Sequence, residues 1–189
     1  MREENEAVGP PAARRPEKRA SSATRTVVEV IVILVAAFAI AMLVQFFLVK
    51  PFTISQISME PTLMNGERVL VNRVTFHFRE PRRGDIVVFH STAESEDLVK
   101  RVVGVAGDRI EVKAGALYVN GVRQSEPYLN EQDIQGVFAE TTVPQGSVFV
   151  MGDNRNDSLD SRVFGAISKS AIIGKVFVVY WPLNHIKGL

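Results

Sequence analysis

The sequence predicts a mainly β domain of antiparallel, partly barrel-like sheets, preceded by one N-terminal transmembrane helix. Three observations carry this. Residues 27–49 read VVEVIVILVAAFAIAMLVQFFLV and are apolar on all sides rather than along one stripe. Residues 51–189 are dense in short Val/Ile/Phe runs broken by Gly, Asn, Asp and Pro. The pairs Asn65-Gly66 and Asn120-Gly121 fall between such runs, where Asn-Gly marks a tight hairpin turn.

The elements follow in chain order. Residues 1–26, including VGPPAARRPEKRASSATR, show no apolar period and cannot bury a core. They are expected to form a disordered cytoplasmic tail. At about 1.5 Å per residue, a helix over 27–49 can cross roughly 30 Å of hydrocarbon. Only Glu29 and Gln45 interrupt it, both near its ends. A buried core helix would be striped. A cleaved signal peptide would have a shorter apolar run, and the A-x-A pattern in AFAIA lies inside this one. The expectation is therefore an uncleaved anchor. Arg14, Arg15, Lys18, Arg19 and Arg25 precede it and only Lys50 follows closely, which puts the N-terminus inside and residues 51–189 outside. Beyond it, ERVLVNRV, GDIVVFH, DLVKRVVGV, DRIEVKA, ALYVNGVRQ, GSVFVMGD and IIGKVFVVYW read as strands.

Composition excludes several chemistries. The net charge of +1 gives no argument for a nucleic-acid partner, and none is expected. With no Cys and 3 scattered His, there are no disulfides, thiolate nucleophiles or Cys-based zinc sites, and no H-E-x-x-H. No metal and no cofactor is expected.

Three landmarks remain. Ser58, in SQISMEPTL, is either a turn residue or a nucleophile. G-x-S-x-G fails at Gln56 and Glu60, and S-x-x-K fails at Pro61. A triad through His90 stays formally open. Lys100 stands in LVKRVVGV among Leu98, Val99, Val102 and Val103. Burial disfavours the ammonium and can lower a lysine pKa by several units from about 10.4, so Lys100 either takes a serine proton or snorkels from a sheet edge. Alternation does not decide, because Lys100 shares a face with Leu98 and Val102 while Arg101 shares one with Val99 and Val103. The third landmark, GDNRNDSLDSR, is a solvated loop, a calcium loop or part of a site. An EF-hand fails at Arg155 and lacks the required Gly and Glu. On an extended segment Ser158, Asp160 and Arg162 lie on one side, where Ser158 could hold an amine and Asp160 could pair with Arg162.

Taken together, in this order, SMEPTL, RRGDIVVF, KRVVGVAGD and GDNRNDSLDSR resemble the boxes of bacterial type I signal peptidase, from the apolar span to near the C-terminus. The resemblance implies a membrane-anchored serine endopeptidase that removes signal peptides after small residues, with Ser58 as nucleophile and Lys100 as general base. It implies support from Ser158, Asp160, Arg162 and Asp153, and a substrate cleft formed by Phe52, Ile54, Met59, Leu63, Leu98 and Val99. The implied partners are signal peptides of exported preproteins and the lipid bilayer, with the protein translocation machinery a further one. Two positions depart from the family pattern. Gln56 stands where many members carry Ser or Gly; a serine hydroxyl there can help bind the oxyanion, a role open here to the Gln56 amide N–H, and Asn156-Asp157 reverses the common Asp-Asn order. The interval between the lysine and the final loop is short, so a reduced accessory β region is expected. Two other classes stay open: a self-cleaving repressor-like protease, which would need a DNA-binding domain where the anchor stands, and a non-enzymatic anchored binding domain.

Overall fold

A computed structural model describes residues 20–91, 96–131 and 133–189. It divides into two units, one ending at Val44 and one over Gln45–Leu189. Most of the expected N-terminal tail, residues 1–19, lies outside the described residues.

Helix α1, Ala20–Leu48, contains no Gly or Pro to interrupt it and starts ahead of Val27. Its Thr24–Gln45 stretch has a mean hydropathy of 3.0, and none of its residues is buried. At about 1.5 Å per residue this stretch is about 33 Å long, enough to cross a membrane.

The second unit contains two antiparallel sheets. The larger, a curled half-barrel, takes β1 (Val49–Thr53), β2 (Arg68–Asn72), β11 (Ile172–Trp181), β3 (Ile86–His90), β4 (Asp97–Val105), β9 (Ser147–Met151) and β10 (Ile167–Ser168) in that spatial order, with β12 (Lys187–Gly188) on β11. The smaller runs β7 (Val122–Arg123), β6 (Ala116–Val119), β5 (Arg109–Lys113), β8 (Phe138–Thr142). Strand β3 is apolar on both sides. Ile86 and Val88 pack with Ile54, Met59, Leu63, Val69 and Val71. Val87 and Phe89 pack with Leu98, Val102, Val148 and Val150. A period of two thus explains why IVVF is a continuous apolar run: both faces are buried.

The two Asn-Gly pairs part company. Asn120 and Gly121 have φ of 54° and 78° and close the expected hairpin, Val119 facing Val122. Asn65-Gly66 is not a hairpin tip. It ends the long connection 54–67 between β1 and β2, where the Gly66 N–H donates to Ile54 O at 2.8 Å. Only Gly66 of that pair has a positive φ, 86°, so the two-residue hairpin geometry expected of Asn-Gly does not form there, and the loop it closes carries Ser58.

The RRGD turn sets β3 beside β4. Gly84 N–H donates to Val102 O and Val102 N–H to Asp85 O, both at 2.8 Å. Asp85 accepts from Arg79 Nη1 and Nη2 at 2.7 and 2.9 Å and from Arg82 N–H at 2.9 Å. Burial alone would raise the Asp85 pKa; the Arg79 guanidinium and the Arg82 amide outweigh it and hold the carboxyl below its ordinary range. Asp108 follows the same logic, with burial opposed by Arg83, the Val105 amide and Asn120.

Carboxyls with depressed folded-state pKa values contribute stability that is complete above their unfolded values of about 3.9 and lost as pH falls through the folded ones. Chemical denaturation should therefore show constant stability near neutrality and a decline below about pH 5. Asp85→Asn should cost about 2 kcal/mol at pH 7 and flatten part of that decline.

Candidate active site

The connection 54–67 is built to hold one hydroxyl still. Met59 and Leu63, 1% and 0% exposed, anchor it in the core on the C-terminal side of Ser58. Its ends are tied by Ile54 N–H to Glu67 O at 2.8 Å, and Met64 N–H donates to the buried Glu67 carboxylate at 3.0 Å. Ser58 itself is 6% exposed. Its carbonyl accepts from Asn154 N–H at 3.0 Å, which joins this connection to the final loop. Among the described residues its backbone N–H makes no hydrogen bond.

Lys100 comes from the middle of β4, opposite Val87 of β3, and is 1% exposed. Its Nζ lies 2.6 Å from Ser58 Oγ. Of the two readings that sequence left open, the snorkelling lysine is the one that burial removes. His90 sits at the end of β3, exposed, its Nδ1 3.2 Å from Asp97 Oδ1, and no hydrogen bond joins it to Ser58.

The residue after the lysine was missed. Arg101 makes two parallel bonds to Asp153, Nε–Oδ1 at 2.8 Å and Nη2–Oδ2 at 2.7 Å. Its guanidinium also donates to Gly84 O at 3.1 Å and lies 3.9 Å over the Tyr128 ring. Two basic residues in succession within one buried strand were the available signal, since each needs a compensating group.

The final loop, 152–162, is braced from inside. Asp160 is fully buried and accepts from Gly152 N–H at 3.1 Å, from Arg162 Nε at 2.9 Å and from Arg162 Nη2 at 2.8 Å. A calcium loop would need these carboxylates, but Arg101 and Arg162 occupy Asp153 and Asp160. Gly152 is required by space: a Cβ there would lie 2.2 Å from Ser158 Oγ and 2.4 Å from Ser58 O. Ser158 Oγ, expected to hold the amine, is buried against that glycine and makes no hydrogen bond.

A further pair was invisible in the motifs. Arg155, 2% exposed, donates to Glu126 at 2.6 and 2.7 Å and to Gly152 O at 2.9 Å. Tyr128 Oη donates to the same carboxylate at 2.7 Å. Burial and the Glu126 charge raise the Tyr128 phenol well above its usual pKa, so it remains a donor. Glu126 and Tyr128 belong to EPYL, which sequence reading placed in no motif.

Two cavities meet at Ser58. One, about 30 Å³, is walled by Phe52, Ile54, Met59 and Val99 with Gln56 and Asp97. The other, about 320 Å³, takes in Gln56, Ile57, Lys100, Asp157 and Leu159. Leu63 and Leu98, expected on the cleft wall, are on neither. Leu63 is fully buried in the core, and Leu98 packs with Val87, Phe89 and Val102. The resemblance alone put Leu98 on that wall, and its side chain belongs to a different apolar cluster from that of Val99.

The sequence profile of the family described as signal peptidase, peptidase S26, matches residues 27–181. The chain belongs to that family. Signal peptidase IB of Staphylococcus aureus strain COL is 42% identical over 180 residues, covering 86% of this chain and 94% of that protein. Signal peptidase I of Bacillus licheniformis is 35% identical over 181 residues, covering 90% and 97%. A crystal structure of a signal peptidase I from Enterococcus faecalis V583 aligns with 51% of this chain and 97% of its own at 35% identity and a TM-score of 0.47. As a signal peptidase, this chain is a serine protease that removes signal peptides from preproteins.

Breaking the Glu126–Arg155 pair tests the brace of this signal peptidase. Glu126→Gln keeps the shape but leaves a buried guanidinium without its counter-charge, so denaturant unfolding should show a loss of about 3 kcal/mol. Arg109→Gln, which removes an exposed pair with Glu140, should cost well under 1 kcal/mol.

Proposed function

We propose that this signal peptidase is a single-pass membrane endopeptidase that cuts exported preproteins after small residues, with Ser58 attacking and Lys100 taking its proton. The observation that carries this reading is the 2.6 Å approach of Lys100 Nζ to Ser58 Oγ with both residues buried. In this reading the amine is neutral and accepts the hydroxyl proton as Oγ bonds to the scissile carbonyl carbon. The resulting ammonium then protonates the departing amine, and the amine so regenerated activates the water that hydrolyses the acyl ester. The Ser58 N–H faces the developing oxyanion, and the Gln56 side chain adds a second donor from the same wall. Arg101–Asp153 and Arg162–Asp160 act as positioning pairs that fix the loops around the two reacting groups. Ser158, whose buried hydroxyl has no other hydrogen-bond partner among the described residues, is assigned to orient the amine.

The narrow cavity supports selection of small side chains. Its volume of about 30 Å³ and its Phe52, Ile54, Met59 and Val99 walls favour a short apolar side chain over a long one. This suits the Ala-x-Ala ends of signal peptides. The Thr24–Gln45 stretch contains the anchor, and the basic residues ahead of Val27 hold the N-terminus in the cytoplasm with residues 51–189 outside. The partners on this reading are the bilayer, the signal peptide and the translocation machinery that delivers it, with no nucleic acid.

Preprotein cleavage in detergent by the purified chain tests the dyad. Ser58→Ala and Lys100→Ala should each lower kcat by at least about 10³-fold, and the double variant should lose little more, since both serve one proton transfer. Lys100→Arg should be as inactive, because a guanidinium stays protonated. A lysine base acts only as the free amine, so kcat/KM should rise with pH on one limb that His90→Ala leaves in place. Loss of an acidic limb near 6.5 in His90→Ala would assign the base to histidine instead.

Topology has its own check. Protease added to intact spheroplasts should digest residues 51–189 and spare an epitope on residues 1–19. Protection of the β unit would reverse the orientation.

A further inference from the structure

The reversed Asn156-Asp157 order has a structural reason, and it puts a charge where substrate must pass. Asn156 faces the segment after β7. Its Nδ2 donates to Glu131 Oε2 at 2.6 Å and to Asp133 O at 3.2 Å, while its Oδ1 accepts from Gln135 N–H at 2.9 Å. An aspartate at 156 would set a carboxylate against Glu131 and lose both donations. Asp157 goes the other way. It is exposed, it makes no side-chain hydrogen bond or ion pair with another described residue, and it lies on the wall of the 320 Å³ cavity with Ser58 and Lys100.

The two cavities share Ser55, Gln56 and Ser58. If the narrow apolar one takes the small residues that end the signal peptide, the chain beyond the scissile bond must continue into the wide one. That segment is the start of the mature protein. Its walls there are Ile57 and Leu159, with Asp157 the carboxylate among them and Lys100 contributing no charge while it is the free amine.

We propose that Asp157 reads the charge of the first residues of the mature chain, favouring Lys or Arg over Glu or Asp immediately after the cut. The inference rests on the Ser58-centred reading above, extended here by placing the two cavities on the two sides of the scissile bond. An exposed carboxylate attracts a cation and repels an anion by modest amounts, each within a factor of about five. Together they give a preference that kinetics can resolve.

The test uses the purified full chain in detergent and three preproteins that differ only in the first two residues after the cut, both Lys, both Gln or both Glu. In the wild type kcat/KM should fall in that order, with the Lys and Glu substrates separated by about tenfold. Asp157→Asn should bring that ratio to about one, and Asp157→Lys should invert it. Equal rates for the three substrates in the wild type would overturn the proposal while leaving the peptidase reading intact. So would an Asp157→Asn enzyme that keeps the wild-type order, or one in which all three rates shift together, which would mean that Asp157 acts through Lys100. Loss of every rate in both variants would make Asp157 a structural residue and also overturn it. Failure of the wild type to cut any of the three would instead overturn the peptidase reading, and this inference with it.

Discussion

The contact on which the rest depends is the one between a buried lysine amine and a buried serine hydroxyl, 2.6 Å apart. An ammonium in an apolar sheet is costly, and the cost falls if the group gives up its proton. The fold makes that environment from ordinary means. Strand β4 is covered on both flanks by β3 and β9 and above and below by apolar clusters. The connection 54–67 then brings Ser58 to the amine with Met59 and Leu63 as anchors. A change that wetted this strand would weaken the proposed base without touching either reacting atom.

Around this contact, the guanidiniums of Arg101, Arg155 and Arg162 are each matched to a carboxylate: Asp153, Glu126 and Asp160. Matched pairs of this kind add little net stability but are expensive to break, so they favour one arrangement of the loops over others. They connect three distant stretches of sequence, β4, the segment after β7 and the final loop. The final loop also reaches the nucleophile directly, through Asn154 N–H on Ser58 O and the close approach that Gly152 allows. In the proposed mechanism these contacts limit the positional freedom of two groups that must stay within hydrogen-bond reach.

Much of this was legible in the sequence, for reasons that differ by residue. Ser58 and Lys100 stand out because each is a polar residue in an apolar context, and their order relative to the span and to GDNRNDSLDSR is specific. Asp160 and Arg162 were legible as a local pair two residues apart. Arg101 with Asp153, and Glu126 with Arg155, were not, because a long-range ion pair has no spacing to read. Leu63 and Leu98 line neither cavity at Ser58 for a related reason: an apolar residue beside a site faces either the cleft or the core, and only the register decides. Asn65-Gly66 does not form the hairpin that its dipeptide suggests, because it closes a long connection with only Gly66 in the left-handed region. Helix α1 begins at Ala20, ahead of the apolar run, because nothing from Ala20 to Thr26 breaks a helix although those residues carry no apolar period.

The central claim, that a free amine at position 100 is the base, can be tested by rebuilding that amine. The chain has no cysteine, so Lys100→Cys introduces a single reactive thiol. Alkylation in denaturant with 2-bromoethylamine, followed by refolding into detergent, restores a side chain of lysine length ending in a primary amine. Alkylation with 2-bromoethyltrimethylammonium gives a similar reach and a permanent charge with no proton to accept. The account expects preprotein cleavage to be absent in Lys100→Cys, to return with the primary amine and to stay absent with the quaternary one. Cleavage by the unmodified cysteine variant, or equal recovery with both reagents, would contradict it.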